Sequence, residues 1–232
     1  MHMYRKYFIP LFSLFSFLIS CTSQAQQTDL TVQVFDNAIA QNNIQLLDVR
    51  TAAEYQSGHL KNALLANWND NSEFQARIKA LDKNKPVYTY CLSGARSHAA
   101  TVWLRQNGFA AYNLSGGINA WKNAGMPIDM LKTAPQMTLD DYMTKIPKNR
   151  TVLVDIGAVW CPPCKTMSPI VDSLAAANAD RFVLLKIDGG DQTDICGKLG
   201  VSGFPTFIVY KNGKEVLRKE GLVDAREISS WF

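Results

Sequence analysis

Residues 154–165 read VDIGAVWCPPCK, and this stretch decides the fold of the half of the chain that contains it. An apolar strand pattern, TVLVDIGA (151–158), runs into two cysteines three positions apart. Apolar residues then recur at helical spacing through SPIVDSLAAAN (168–178), with one proline inside the run. The dithiol therefore stands where a strand hands over to a helix. Unpaired amides and the helix dipole at such an end favour a thiolate on the first cysteine, which makes Cys161 the expected nucleophile. Cys164, a turn further in, is expected to be the less exposed, resolving thiol. Two other uses compete with this one. Half of a zinc site needs a second pair of ligands, and Cys196 and three scattered histidines lack the spacing; a purely structural disulfide is the other alternative.

Downstream, RFVLLKID reads as a strand, TDICGKLG as a short helix, and FPTFIVY with KEVLRKE as a hairpin about the KNG turn (211–213). With GFPTF (203–207), the KNG turn and Gly221 following VDIGAVWCPPCK in order, residues 134–232 resemble the thioredoxin family. That resemblance implies a mixed central sheet and a redox-active Cys161–Cys164 disulfide. It implies a substrate groove formed by Trp160, Pro162, Pro163, Phe204 and Pro205, with Pro205 the cis-proline that faces the dithiol. It also makes Asp155 the buried acid that handles the proton of the resolving cysteine, a role suited by a burial-raised pKa. Three positions depart from the family pattern. The spacer is Pro-Pro rather than Gly-Pro, Leu184 stands where many thioredoxins carry a lysine, and Gly157 replaces a tryptophan, opening space beside the site. Cys196 reads as core filling in its short helix.

Upstream, strand and helix patterns alternate from Thr31: TVQVF as strand, DNAIAQNN as helix, IQLLDV as strand, TAAEYQSG as helix. A short apolar piece (ALLANW), a helix (SEFQARIKAL) and the strand PVYTYC follow, which together imply a mainly parallel sheet covered by helices. After that strand comes CLSGAR (91–96), where Leu92, Ser93, Gly94 and Ala95 separate Cys91 from Arg96. A short loop of small residues before a helix can turn successive amides inward as an anion-binding nest, so whatever Cys91 carries is expected to be anionic.

LLDVR (46–50) with Glu54 and GHL (58–60), then CLSGARS, then LSGGINAW (114–121) with AGMP make residues 28–130 resemble the rhodanese family. The resemblance implies that Cys91 takes sulfane sulfur from a donor such as thiosulfate, holds it as a persulfide with Arg96 beside it, and passes it to a thiophilic acceptor. Related phosphatases place five residues between cysteine and arginine; four favours sulfur transfer. Asp48, Arg50, Glu54 and His59 match positions that form a structural polar network, and His98 reads as a surface or packing residue.

The expected fold class is α/β in two domains: a rhodanese-like parallel sheet flanked by helices (28–130), then a thioredoxin fold with a mixed central sheet (131–232). The linker falls in MPIDMLKTAPQM (126–137), where prolines break the rhythm. Residues 1–20, basic then apolar, have the form of a signal peptide. LISC (18–21) resembles a bacterial lipobox, with Cys21 as the lipidated residue and a membrane-anchored periplasmic protein as the outcome; SQA (23–25) is the alternative cleavage site, giving a soluble periplasmic one. The formal charge of +4, two units of it in the leader, and the lack of an aromatic-basic run argue against nucleic acid. No cofactor or metal is expected. Expected partners are thiol or disulfide proteins, a sulfane sulfur donor and a membrane reductant relay. The alternative function is a disulfide reductase of exported proteins whose first domain is a non-catalytic docking module.

Overall fold

The computed structural model describes residues 28–130 and 135–232. The leader, Cys21, the SQA site and part of the linker lie outside the described residues. In the first half, β1 (Asp29–Leu30), β2 (Gln45–Asp48), β3 (Leu64–Leu65), β4 (Val87–Tyr90) and β5 (Ala111–Leu114) form one parallel sheet in the order β1-β5-β4-β2-β3. Helices α1 (Val32–Ile39), α2 (Ala52–Gln56), α3 (Asn71–Ile78), α4 (Ala95–Gln106) and α5 (Gly117–Asn123) connect and cover it. The sheet is buried on both faces: Leu46, Tyr90 and Leu114 pack with Phe35, Ile118 and Trp121, while Leu47, Val87 and Ala111 pack with Phe74, Ala100 and Leu104.

One element differs from the strand expected at TVQVF. The segment is the first turns of α1, with Thr31 in extended backbone as its N-cap and the Phe35 N–H donating to the Thr31 carbonyl at 2.9 Å. Phe35 is buried and Val32 and Ile39 partly so, at helical spacing, while Val34 stays exposed. Face-forming periodicity outweighs the β-branched pair that favoured a strand. The first strand is the shorter Asp29–Leu30, paired with β5.

The second half begins with α6 (Leu139–Thr144), closed by a Thr138–Asp141 capping box. Strands β6 (Thr151–Gly157), β7 (Phe182–Asp188), β8 (Thr206–Lys211) and β9 (Lys214–Glu220) form a mixed sheet ordered β7-β6-β8-β9, parallel only between β6 and β7. Helices α7 (Pro162–Ala177), α8 (Thr193–Lys198) and α9 (Ala225–Ser229) complete it. Asn212 (φ 55°) and Gly213 (φ 74°) make the two-residue hairpin turn, where paired positive φ angles match the strand twist. Along β6 the alternation is decisive for function. Val152, Val154 and Ile156 bury on the α8 side with Ile195 and Ile208, whereas Leu153 faces Met167 and Val171 of α7. Asp155 and Gly157 share the parity of Leu153, so both belong to the face that carries the dithiol helix.

Candidate functional site: a persulfide loop and a dithiol

Cys91 follows β4 directly and is 1% exposed, while Leu92, Ser93 and Ala95 reach solvent. Gly94 caps α4 in left-handed backbone (φ 98°), and its N–H donates to the Cys91 sulfur at 3.1 Å. What holds the loop inward is the pair of glycines at the start of α5, Gly116 as its N-cap and Gly117 as its first residue. The Ile118 and Asn119 amides donate to the carbonyls of Cys91 (2.8 Å) and Leu92 (3.1 Å), so the loop carbonyls point away and its amides toward the sulfur. Gly117 permits this approach, since a Cβ there would lie 2.4 Å from the Cys91 carbonyl oxygen. Burial acts to raise the Cys91 thiol, but the Ser97 hydroxyl and the amides of Ser97, Ser93 and Gly94 outweigh it and hold the thiol below its ordinary value.

Arg96 stands at the rim of this loop. Glu54 grips it with two bonds, Nη1 to Oε2 at 2.9 Å and Nη2 to Oε1 at 2.6 Å, and that bond to Arg96 is the main reason the Glu54 carboxyl is lowered to about 2. Glu54 also closes the capping box of α2 with Thr51, so one carboxylate fixes a helix end and aims the cation. Asp48 and Arg50 form a buried pair (2.6 Å) tied to the Gly58 carbonyl and lying under the Tyr90 ring, a brace for the strand that delivers Cys91. His59 stacks on Tyr55 and bonds to its carbonyl, and His98 pairs with Asp29 at the surface. The surface position of His98 is the one the sequence suggested, whereas His59 is held by Tyr55 and not by Asp48, Arg50 or Glu54.

In the second half Cys161 is the N-cap of α7 and is joined to Cys164 in a disulfide, with the Cys164 N–H donating to the Cys161 sulfur at 3.2 Å. Pro162 and Pro163 start the helix, and the Phe204–Pro205 peptide is cis. Burial raises the Asp155 carboxyl to about 6, with Lys186 pulling it back down. Lys186 faces Asp155 across the β6–β7 register. Leu184 therefore does not leave the acid without a nearby cation: Lys186, two residues on, faces it while its Nζ is bound to Asp172 at 2.6 Å. The apolar–polar alternation of LKID (185–188) was the signal that could have found it. Cys196 is buried beside Gly189, where burial pushes its thiol up to about 11, as befits packing rather than reactivity.

The relation of the two dithiol sulfurs reverses the sequence expectation. Cys161 is 0% exposed and Trp160 4%, because the first domain covers them, whereas Cys164 is partly open. The Trp160 carbonyl accepts the Leu65 N–H at 2.8 Å, using the free edge of β3. Arg77 lies 4.8 Å over the Trp160 ring while donating to the Leu65 carbonyl, and Phe204 packs on the same ring. Gln56 adds a bond to the Gly190 carbonyl. Trp160, expected to line a substrate groove, is thus packed in a seam between domains, with Phe204 on its ring. This contact had no signal in the sequence, because Arg77 reads as an ordinary polar residue on an amphipathic helix.

Residues 133–232 match the family described as Thioredoxin and residues 31–124 the family described as Rhodanese-like domain. Thioredoxin Y, chloroplastic, from Oryza sativa subsp. japonica is 36% identical over 39% of this chain and 53% of that protein. A thioredoxin from Alicyclobacillus acidocaldarius is 34% identical over 34% of this chain and 78% of that protein. A crystal structure of a rhodanese-like domain protein from Staphylococcus aureus is 27% identical, with a TM-score of 0.40, over 46% of this chain and all of that one (100%). The chain spans about half the length of the rice relative and 26% of thioredoxin-like protein 1 from Schizosaccharomyces pombe. This chain belongs to the thioredoxin family, with a rhodanese-like domain preceding the thioredoxin domain.

Proposed function

We propose that the chain is an exported thiol enzyme in which Cys91 carries sulfane sulfur and the Cys161/Cys164 dithiol discharges it. In the loading step the Cys91 thiolate attacks the outer sulfur of thiosulfate, forming a persulfide and releasing sulfite. The Gly94, Ser93 and Ser97 amides and the Arg96 guanidinium stabilise the anion at each stage. In the discharge step the Cys161 thiolate takes the outer sulfur and frees the Cys91 thiolate. Cys164 then attacks the Cys161 sulfur, closing the disulfide and expelling hydrosulfide. The sulfane sulfur gains two electrons, and the dithiol loses two. Asp155 is the base for the Cys164 proton.

The observation that carries this reading is the placement of the dithiol. The Trp160 carbonyl is bound at Leu65, and Leu65, Asp48 and Tyr90 form one row across the sheet. Tyr90 is thus about 10 Å from Leu65 at the usual strand spacing, and the dithiol stands one further spacing outside Leu65. Both sulfurs are buried, in different clusters, so Cys161 reaches Cys91 when the seam opens. The formed loop and lowered thiol at Cys91 favour catalysis there over a docking role. Cys91→Ser tests the reading: sulfide release from thiosulfate by the reduced enzyme should vanish. Persistent sulfide release in that variant would refute it. Export, the Cys21 anchor and a membrane relay as the ultimate source of reducing equivalents belong to the same proposal and rest on the leader sequence alone.

A further inference from the structure

The first domain seals Cys161, but it leaves Cys164 on the wall of a cavity. This space of 580 Å³ lies at the domain seam, with Tyr55, His59 and Asp129 on one side and Asp155, Gly157 and Lys165 on the other. Gly157 makes the opening, since a Cβ there would stand 3.2 Å from the Cys164 sulfur. The size falls within the range of about 300–1,000 Å³ usual for small-molecule sites. Its walls carry both signs of charge, Lys165 against Asp129 and Asp188, with Lys186 tied to Asp172 at 2.6 Å, and they mix polar groups such as Asn62 and Ser168 with Ala63, Ala158 and Ile187. Such a lining suits a small ligand with an ammonium and a carboxylate.

We propose that this cavity binds a low-molecular-mass zwitterionic thiol, of the cysteine or cysteinyl-peptide class, which reduces the Cys161–Cys164 disulfide by attacking Cys164. The inference rests on the dithiol reading above and names the reductant class that renews it. The thiol gives its proton to the Asp155 carboxylate, and its sulfur bonds to the Cys164 sulfur. The protein S–S bond breaks, leaving its electron pair on Cys161, whose sulfur already accepts the Cys164 N–H. A second thiol then attacks the ligand sulfur of the mixed disulfide, forming the small disulfide and freeing the Cys164 thiolate. Two thiols are oxidised for one protein disulfide reduced.

The test uses the oxidised full chain with reduced glutathione as the probe and 2-mercaptoethanol, which has neither charge, as the control. The rate of disulfide opening should saturate with glutathione and stay linear with mercaptoethanol. Ser168→Trp, which fills the cavity from α7, should slow glutathione about tenfold and mercaptoethanol less. Independently, Cys161→Ser incubated with glutathione disulfide should acquire glutathione on Cys164 faster than Cys164→Ser acquires it on Cys161. Linear kinetics with both thiols and no effect of Ser168→Trp, or faster adduct formation at Cys161, would overturn the proposal. Sulfite release from thiosulfate, measured on the same preparations, reports on Cys91 alone, so failure of this inference is distinguishable from failure of the sulfur-transfer reading.

Discussion

Cys91 and Arg96 are separated by four residues, and that spacing was readable because an anion nest needs small residues and a cation at fixed positions. The role of Glu54 was less readable, since nothing local shows that it reaches 42 residues along the chain to Arg96. Glu54→Gln should lower sulfite release from thiosulfate about tenfold, as loss of one charge-assisted bidentate partner implies. Its carboxyl is lowered from 4.5 to about 2, so its contribution to stability is present above pH 4.5 and is lost as pH falls toward 2. The stability gap between wild type and Glu54→Gln in urea should therefore close across that window. Asp155 has the opposite sign. A carboxyl raised from 3.8 to about 6 favours its protonated form in the fold, so it costs stability as pH rises through that interval. Asp155→Asn should flatten the slope between pH 4 and 6 and remove an inflection near pH 6 from the rate of disulfide exchange.

At the level of elements, the strand–cysteine–helix units were legible on both halves, because each joins an apolar strand to a helix through a residue type that chemistry demands. TVQVF was not, as β-branched residues favour a strand locally while the burial of Phe35 is decided by the sheet it packs on. The GG of LSGGINAW could be matched to a family pattern, but its physical task emerges only where α5 meets the Cys91 loop. Gly117 has φ 58° and no room for a Cβ. Gly117→Ala should cost about 1–3 kcal/mol in thermal or urea unfolding and reduce persulfide loading at Cys91 more than it alters disulfide exchange at Cys161. Equal loss at both sites would show that the glycine serves general folding instead.

On the scale of the whole molecule, the two sheets were foreseeable and their seam was not. The seam depends on which polar atoms are left at an edge, here the Leu65 amide, and on a buried guanidinium over Trp160. Arg77→Ala removes a contact of about 1 kcal/mol, which should raise the opened population about fivefold. Alkylation of reduced Cys161 should accelerate accordingly, with Cys164 little changed. The joined mechanism makes one demand that no pair of independent domains would meet. When dithiol-reduced protein is loaded at Cys91 with sulfane-labelled thiosulfate in a single turnover, labelled sulfide and the Cys161–Cys164 disulfide should appear together. Their shared first-order rate should not depend on protein concentration. A persulfide that persists on Cys91, or a discharge rate proportional to protein concentration, would contradict the account.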